Sequence, residues 1–439
     1  MHRSEIALLA VIALGLAVQR VVSAATSTPV RMFDSAEYLD AHGPNTKPLL
    51  GALIMRTFTS DSARAIGLAV IGTVATIGLL VALLTSVQSR PGRWIGITGV
   101  AIWMASAFGR LWDGVVLPES LGISVGIAAV AAVSAGLLRG SRSLLVAGGV
   151  LAVALPSIRE TLAVQAVVIV GLVAWGLLRS AIAPTSRRVA AAIGVGALVA
   201  GMAFSLHSIA GLGDSRYDVG YVDTTAAGFR TANVIWRRFA LVDRGWLAHD
   251  SIFVPAGYEP PLVVPTYFDD HANVVSAERG GTSLVLRFLV AHPGYAIRAP
   301  FTDEQGISFD RSLLDTYDPK HHFGNGWLDD LLEAPGRALG IALALVTLGL
   351  VAWRPWKSSR ERTGLALLAG ASMVSAMLAW HLDGVEALRH VVPSLSLWLA
   401  TLPFAIAALA RATRSAGAEA QGPTPDSGEP VLHAEPPIR

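Results

Sequence analysis

Ionisable side chains in this sequence gather in a few short stretches whose spacing suits acid–base or anion-binding chemistry. The first is Arg31-Met32-Phe33-Asp34-Ser35-Ala36-Glu37-Tyr38, followed shortly by Lys47-Pro48. A helix over residues 34–39 would put Asp34 and Glu37 on one face at i,i+3, with Tyr38 beside them. A free carboxylate so placed can take a proton from a hydroxyl as general base. The same spacing also reads as a capping box, with Asp34 as cap and Glu37 at the third helical position. The two readings compete, because a carboxylate that caps a helix is poorly available as a base.

A second stretch sets Arg110, Asp113 and Glu119 around Trp112, with Pro118-Glu119-Ser120 opening an apolar block. Glu at a helix start is favoured by the macrodipole, which is the structural alternative to substrate binding. A third, Pro156-Ser157-Ile158-Arg159-Glu160-Thr161, places an adjacent ion pair at membrane depth. Charges there are expensive, and either pair with one another or serve function. The fourth runs from His381 to His390. Asp383, Glu386 and His390 fall at i, i+3 and i+7, so one helical face would collect them, with Arg389 alongside. Guanidinium forks bind phosphate bidentately, so this segment suits the phosphate of a lipid; a merely solvated loop is the alternative.

Long apolar blocks must position these residues. The chain has 439 residues, of which 53% are hydrophobic and 15% charged, and its mean hydropathy is +0.53. Soluble domains carry about 25% charged residues, and a membrane helix needs roughly 20 apolar residues to cross about 30 Å of hydrocarbon. The sequence therefore predicts an all-α polytopic membrane protein. Its spans are Ile6–Val22, Ile66–Val87, Trp94–Phe108, Leu117–Leu138, Leu144–Leu155, Leu162–Leu178, Val189–Leu206, Ala338–Trp353, Leu365–Trp380 and Val391–Leu409. Pro156 is expected to end the fifth, because proline disfavours helix in the residue before it. The first block also resembles a signal peptide, with Val22-Ser23-Ala24 as a cleavage site, although an uncleaved span is the favoured reading.

Charge distribution sets the expected orientation. Arg90, Arg93, Arg139, Arg142, Arg179, Arg187, Arg188, Arg354, Lys357, Arg360, Arg362, Arg411 and Arg414 all fall on one side of this layout. The positive-inside rule makes that side cytoplasmic, along with both termini. The polar stretches described above then share the extracytoplasmic side. The domain reading is an N-terminal membrane module (1–208) with a first outer loop at 23–61, an acidic extracytoplasmic region (209–335), C-terminal membrane helices (336–411) and a disordered cytoplasmic tail (412–439) rich in Pro, Gly, Ala and Glu. Within 209–335, a helix is expected over Thr225–Asp243 and an amphipathic surface stretch over Ser283–Tyr295.

Several functions are excluded or left without support. Cysteine is absent, so disulfides and thiolate chemistry are excluded. His271, His292, His321 and His322 lack metal-ligand spacing, and no metal ligand is assigned. No Walker, GxSxG or HExxH motif occurs. The basic loops are short and lack interleaved aromatics, which argues against nucleic acid as a partner.

Phe33-Asp34-Ser35-Ala36-Glu37-Tyr38 with Lys47-Pro48, and Glu119 within Leu117-Pro118-Glu119-Ser120-Leu121, resemble motifs of the C-type glycosyltransferases, the GT-C superfamily. The segment with Asp383, Glu386, Arg389 and His390 resembles hydrophobic cell-envelope proteins of actinobacteria often assigned there. The resemblance implies a GT-C-like fold. It also implies a polyprenyl-phosphate sugar as donor substrate, an extracytoplasmic envelope glycan, lipid or protein as acceptor, and membrane lipids as surroundings. Asp34 would be the catalytic base, and Arg389, with His390 or Arg159, would stabilise the departing phosphate. Glu37, Tyr38, Lys47, Glu119, Arg159, Glu160, Asp383 and Glu386 complete the expected substrate-binding set. No cofactor follows from the motifs, and they do not fix a divalent-metal requirement. A glycan- or partner-binding envelope protein and a lipid-linked glycan transporter are the alternatives.

Overall fold

The computed structural model describes residues 3–32, 35–39, 48–179, 185–212, 216–218, 223–225, 286, 289–302, 307, 323, 326–334, 336–352, 360–382 and 387–420. The N-terminal half contains α1 (Arg3–Thr26), α2 (Ser35–Leu39), α3 (Leu49–Arg56), α4 (Asp61–Ser86), α5 (Arg90–Ala105) and the short α6 (Ala107–Arg110). It continues with α7 (Glu119–Arg139), α8 (Arg142–Ile158), α9 (Ala163–Arg179) and α10 (Thr185–Leu212). An antiparallel pair of three-residue strands follows, β1 (Arg216–Asp218) and β2 (Asp223–Thr225). The remaining helices are α11 (Pro293–Thr302), α12 (Gly326–Glu333), α13 (Gly336–Ala352), α14 (Arg360–His381) and α15 (Ala387–Ala420).

Each apolar block read from the sequence is largely helical, and the Trp94–Phe108 block is divided between two helices. Six helices are long and apolar enough to cross a membrane, and eight segments qualify if two bent pairs each count as one span. The chain is thus a multi-pass membrane protein by helix length and hydropathy. The helical stretches Arg142–Ile158 and Ala191–His207 are apolar but shorter than a full crossing. Local sequence explains the boundaries. Ser60 accepts from the amide of Ala63 to cap α4, and Ser89 accepts from Gly92 to cap α5, where Pro91 sits in the first turn. Gly140 closes α7 at φ 66°, a left-handed position that costs glycine nothing.

The structure corrects two expectations. First, α8 does not stop before Pro156 but runs through it to Ile158, and the amide of Arg159 still bonds to the carbonyl of Leu155 at 2.8 Å. Pro156 costs α8 one amide, and the helix has only two residues left to run beyond it. Second, the Trp94–Phe108 block is not one straight span: α5 and the following segment 107–113 meet at 75°. Every residue from 106 to 124 is buried. Leu111, Trp112, Val115, Val116 and Leu117 supply an apolar surface there, and Arg110 and Asp113 are hydrogen-bonded inside the bundle. α15 runs to Ala420, and its membrane-crossing window, Arg389–Ala410, agrees with the expected Val391–Leu409. The expected helix at 225–243 falls outside the described residues apart from Thr225, which belongs to β2. The tail beyond Ala420 also lies outside them.

The bundle centres on α7 and α15, whose apolar windows are 78% and 83% buried, against 11% for α1. α7 contacts α4, α8 and α15, and α14 packs along α15. Close approach depends on glycine: a Cβ at Gly126 of α7 would come within 2.6 Å of Leu397 of α15. One end of the bundle, hereafter the site end, gathers the end of α8, the starts of α7 and α15 and the segment linking α5 to α7.

Candidate functional site at the buried ends of the helices

At the site end, Glu119 opens α7 and is fully buried. Arg159 follows α8 in extended backbone (φ −149°, ψ 117°), and Arg389 lies in the first turn of α15. The three side chains converge: Arg159 Nη2 is 3.2 Å and Arg389 Nε 3.1 Å from the same oxygen, Glu119 Oε1. All are at most 3% exposed as side chains. Arg159 also donates to the Tyr38 hydroxyl at 3.4 Å and contacts His390 Nε2 at 3.0 Å. Because guanidinium only donates, that hydrogen bond requires Nε2 to accept. Two guanidiniums meeting at one carboxylate oxygen form a buried ionic cluster at the ends of apolar helices.

The sequence builds this convergence from separate elements. α3 holds α2, because Arg56 Nε donates to the carbonyl of Tyr38 at 3.1 Å. α3 in turn lies on the end of α8, where a Cβ at Gly51 would approach the Ile158 carbonyl to 2.8 Å. Tyr38, with 0% exposure, is thereby pressed onto Arg159. Below the cluster, Ser375 Oγ donates to the Thr161 carbonyl at 3.0 Å and lies 3.1 Å from Ser394 Oγ. Gln165 Nε2 donates to the Ser394 carbonyl at 3.3 Å. These contacts tie the turn carrying Arg159 and Glu160 to α14 and α15.

Of the residues singled out by sequence, the structure thus unites Tyr38, Glu119, Arg159, Arg389 and His390. Glu160 begins a 3-10 turn next to them and is half-buried. Arg159 pairs with Glu119, forty residues earlier in the chain, a partner that the sequence reading did not name. Asp34, Lys47, Asp383 and Glu386 lie outside the described residues, as does the side chain of Glu37. Asp34 immediately precedes Ser35, whose hydroxyl accepts from the amide of Met32 at 2.8 Å. The i, i+3, i+7 face proposed for the 383–390 segment is described only from Ala387 onward, where α15 begins.

A second buried charge centre lies nearby. Arg20, in the first apolar block, binds Asp113 through two parallel contacts, Nε to Oδ2 at 2.6 Å and Nη2 to Oδ1 at 2.8 Å. Ser120 Oγ also donates to Asp113 Oδ1. Arg110 donates to Ser23 Oγ at 2.8 Å and to the Phe323 carbonyl at 2.7 Å. Asp329 of α12 accepts from the amide of Ala107 at 2.8 Å. Residues 114–116 pair with Val30 as a parallel bridge, closed by Val30 N to Gly114 O at 2.8 Å and Val116 N to Val30 O at 3.0 Å. Sequence reasoning missed Arg20, although an arginine inside an apolar block is itself a signal that a buried partner exists.

Among the described residues no three His, Asp or Glu side chains are grouped to hold a metal ion. Compared with protein-family models, curated proteins and solved structures, the chain shows no match.

Proposed function

We propose that this protein is a membrane glycosyltransferase of the GT-C type, moving a sugar from a polyprenyl-phosphate donor to an envelope glycan, lipid or protein acceptor with inversion. In this reading about ten helices cross the bilayer. Both termini are cytoplasmic, following the arginine-rich loops, and the site end faces the extracytoplasmic side. The observation that carries the reading is the convergence of Arg159 and Arg389 on one oxygen of Glu119 at the ends of apolar helices. Two guanidiniums gathered at one carboxylate bring phosphate-binding groups together where a lipid phosphate would arrive laterally. Dry, preorganised donors stabilise charge developing on a leaving phosphate most strongly.

The first-loop motif supports the reading by its placement. Tyr38 touches Arg159, and Asp34 lies four residues before it in the chain. Asp34 then serves as the general base that takes the acceptor hydroxyl's proton. The hydroxyl oxygen attacks the anomeric carbon as the bond to phosphate breaks, and Arg159 and Arg389 receive the phosphate's charge.

The transporter reading draws on a different observation, the 75° break between α5 and the 107–113 segment beside buried charges, since broken helices mark many transport sites. One experiment separates the two. Purified protein in lipid is given radiolabelled polyprenyl-phosphate sugars and envelope acceptors, comparing wild type with Asp34→Asn. The expected outcome is transfer by wild type and a loss of about 10²-fold or more in the variant, the scale of general-base catalysis. Transfer that survives in Asp34→Asn moves the base to another carboxylate. Lipid movement across the bilayer without any transfer replaces the enzyme with the transporter.

A further inference from the structure

Glu119 is paired without being hydrogen-bonded. Both arginines come within ion-pair distance of Oε1, yet both carboxylate oxygens are buried and neither accepts a hydrogen bond among the described residues. A helix-start glutamate placed only for the macrodipole would face solvent or its own backbone amides. This one has 0% exposure, and neither of its oxygens accepts a hydrogen bond among the described residues. A buried carboxylate oxygen left unmatched is costly, so the arrangement favours any ligand that brings a hydroxyl to it.

We infer that Glu119 is a specificity residue whose Oε2 accepts a hydrogen bond from a donor-sugar hydroxyl next to the phosphate-bearing carbon. This rests on the proposed transferase reading and narrows its substrate class. Oε1 and Oε2 belong to one carboxylate, so a group on Oε2 sits beside whatever the arginines hold. In a glycosyl phosphate the hydroxyl vicinal to the anomeric carbon, at C2, meets that constraint, and a hydroxyl across the ring does not. Donors lacking a free C2 hydroxyl, 2-deoxy and 2-acetamido sugars among them, are disfavoured.

The test uses the full-length protein in lipid nanodiscs. The probes are polyprenyl-phosphate mannose, polyprenyl-phosphate arabinofuranose and their 2-deoxy counterparts, measured for both Kd and transfer. At least one 2-hydroxy donor is expected to bind wild type about 10- to 100-fold more tightly than its 2-deoxy counterpart, the worth of one hydrogen bond to a charged group. In Glu119→Gln the two arginines orient the amide oxygen toward themselves and put an NH2 where the acceptor was, so the preference narrows to within about threefold. Equal affinity of wild type for every 2-hydroxy and 2-deoxy pair overturns the inference whether or not sugar is transferred. Absence of transfer with every donor overturns the transferase reading instead. The wild-type comparison decides the inference even if the variant fails to fold.

Discussion

Two buried charge centres sit at the same end of this bundle, and they are built differently. Arg20 and Asp113 are matched one to one, with two parallel contacts at 2.6 and 2.8 Å and a serine hydroxyl completing the carboxylate. Glu119 faces two arginines at 3.1 and 3.2 Å, and neither of its oxygens accepts a hydrogen bond among the described residues. The closed pair joins α1 to the segment before α7. A Cβ at Gly72 of α4 would clash with the Arg20 guanidinium, so α4 also shapes the pocket that receives it. A closed centre has nothing left to offer a ligand, whereas a mismatched one does. Under the proposed function the contrast gives the first centre a structural role and the second a chemical one, although both pair arginine with a buried carboxylate.

Breaking the closed pair should cost the most stability. Asp113→Ala leaves Arg20 buried without its carboxylate, and removing one partner of a buried pair costs about 3–5 kcal/mol. Thermal unfolding in detergent should show a large fall in Tm for this variant, and the combination of Arg20→Met with Asp113→Leu should recover most of it. A fall of similar size in both variants would mean that the pair is not the source of the stability.

The open cluster should respond in binding more than in folding. Arg159→Lys replaces a planar fork with a point charge and is expected to weaken polyprenyl-phosphate binding about tenfold, equivalent to about 1.4 kcal/mol. Tm should change less than in Asp113→Ala. Unchanged affinity alongside a large loss of Tm would move Arg159 into the structural class and erase the contrast. The smallest effect belongs to Tyr38→Phe, which removes a 3.4 Å contact to Arg159. A loss of about 0.5–1.5 kcal/mol is expected, read as a few-fold rise in Kd for the same lipid.

Much of the architecture was legible in the sequence because the bilayer imposes a one-dimensional rule. A helix that must satisfy its backbone in hydrocarbon needs a long apolar run, so each block announced its helix. The errors fall where that rule stops applying. Pro156 sits in the last turn of α8, where the helix has only two residues left to run, and the Trp94–Phe108 block breaks by 75° beside the buried segment 106–124. Tyr38, Glu119, Arg159, Arg389 and His390 stood out because polar residues bordering apolar blocks are rarely idle.

Their partners were not legible. Arg159 reaches Glu119, forty residues away in the chain and at the start of a different helix. Arg20 and Asp113 lie 93 residues apart, and no local pattern links them. The sequence alone determined that this is a multi-pass helical membrane protein and which polar residues interrupt its apolar blocks, because hydropathy and helical rise are local properties. Only the tertiary structure decided which charges meet, which carboxylate is closed and which is left half-matched. Those outcomes depend on how α7, α8 and α15 pack, which no local stretch of the sequence contains.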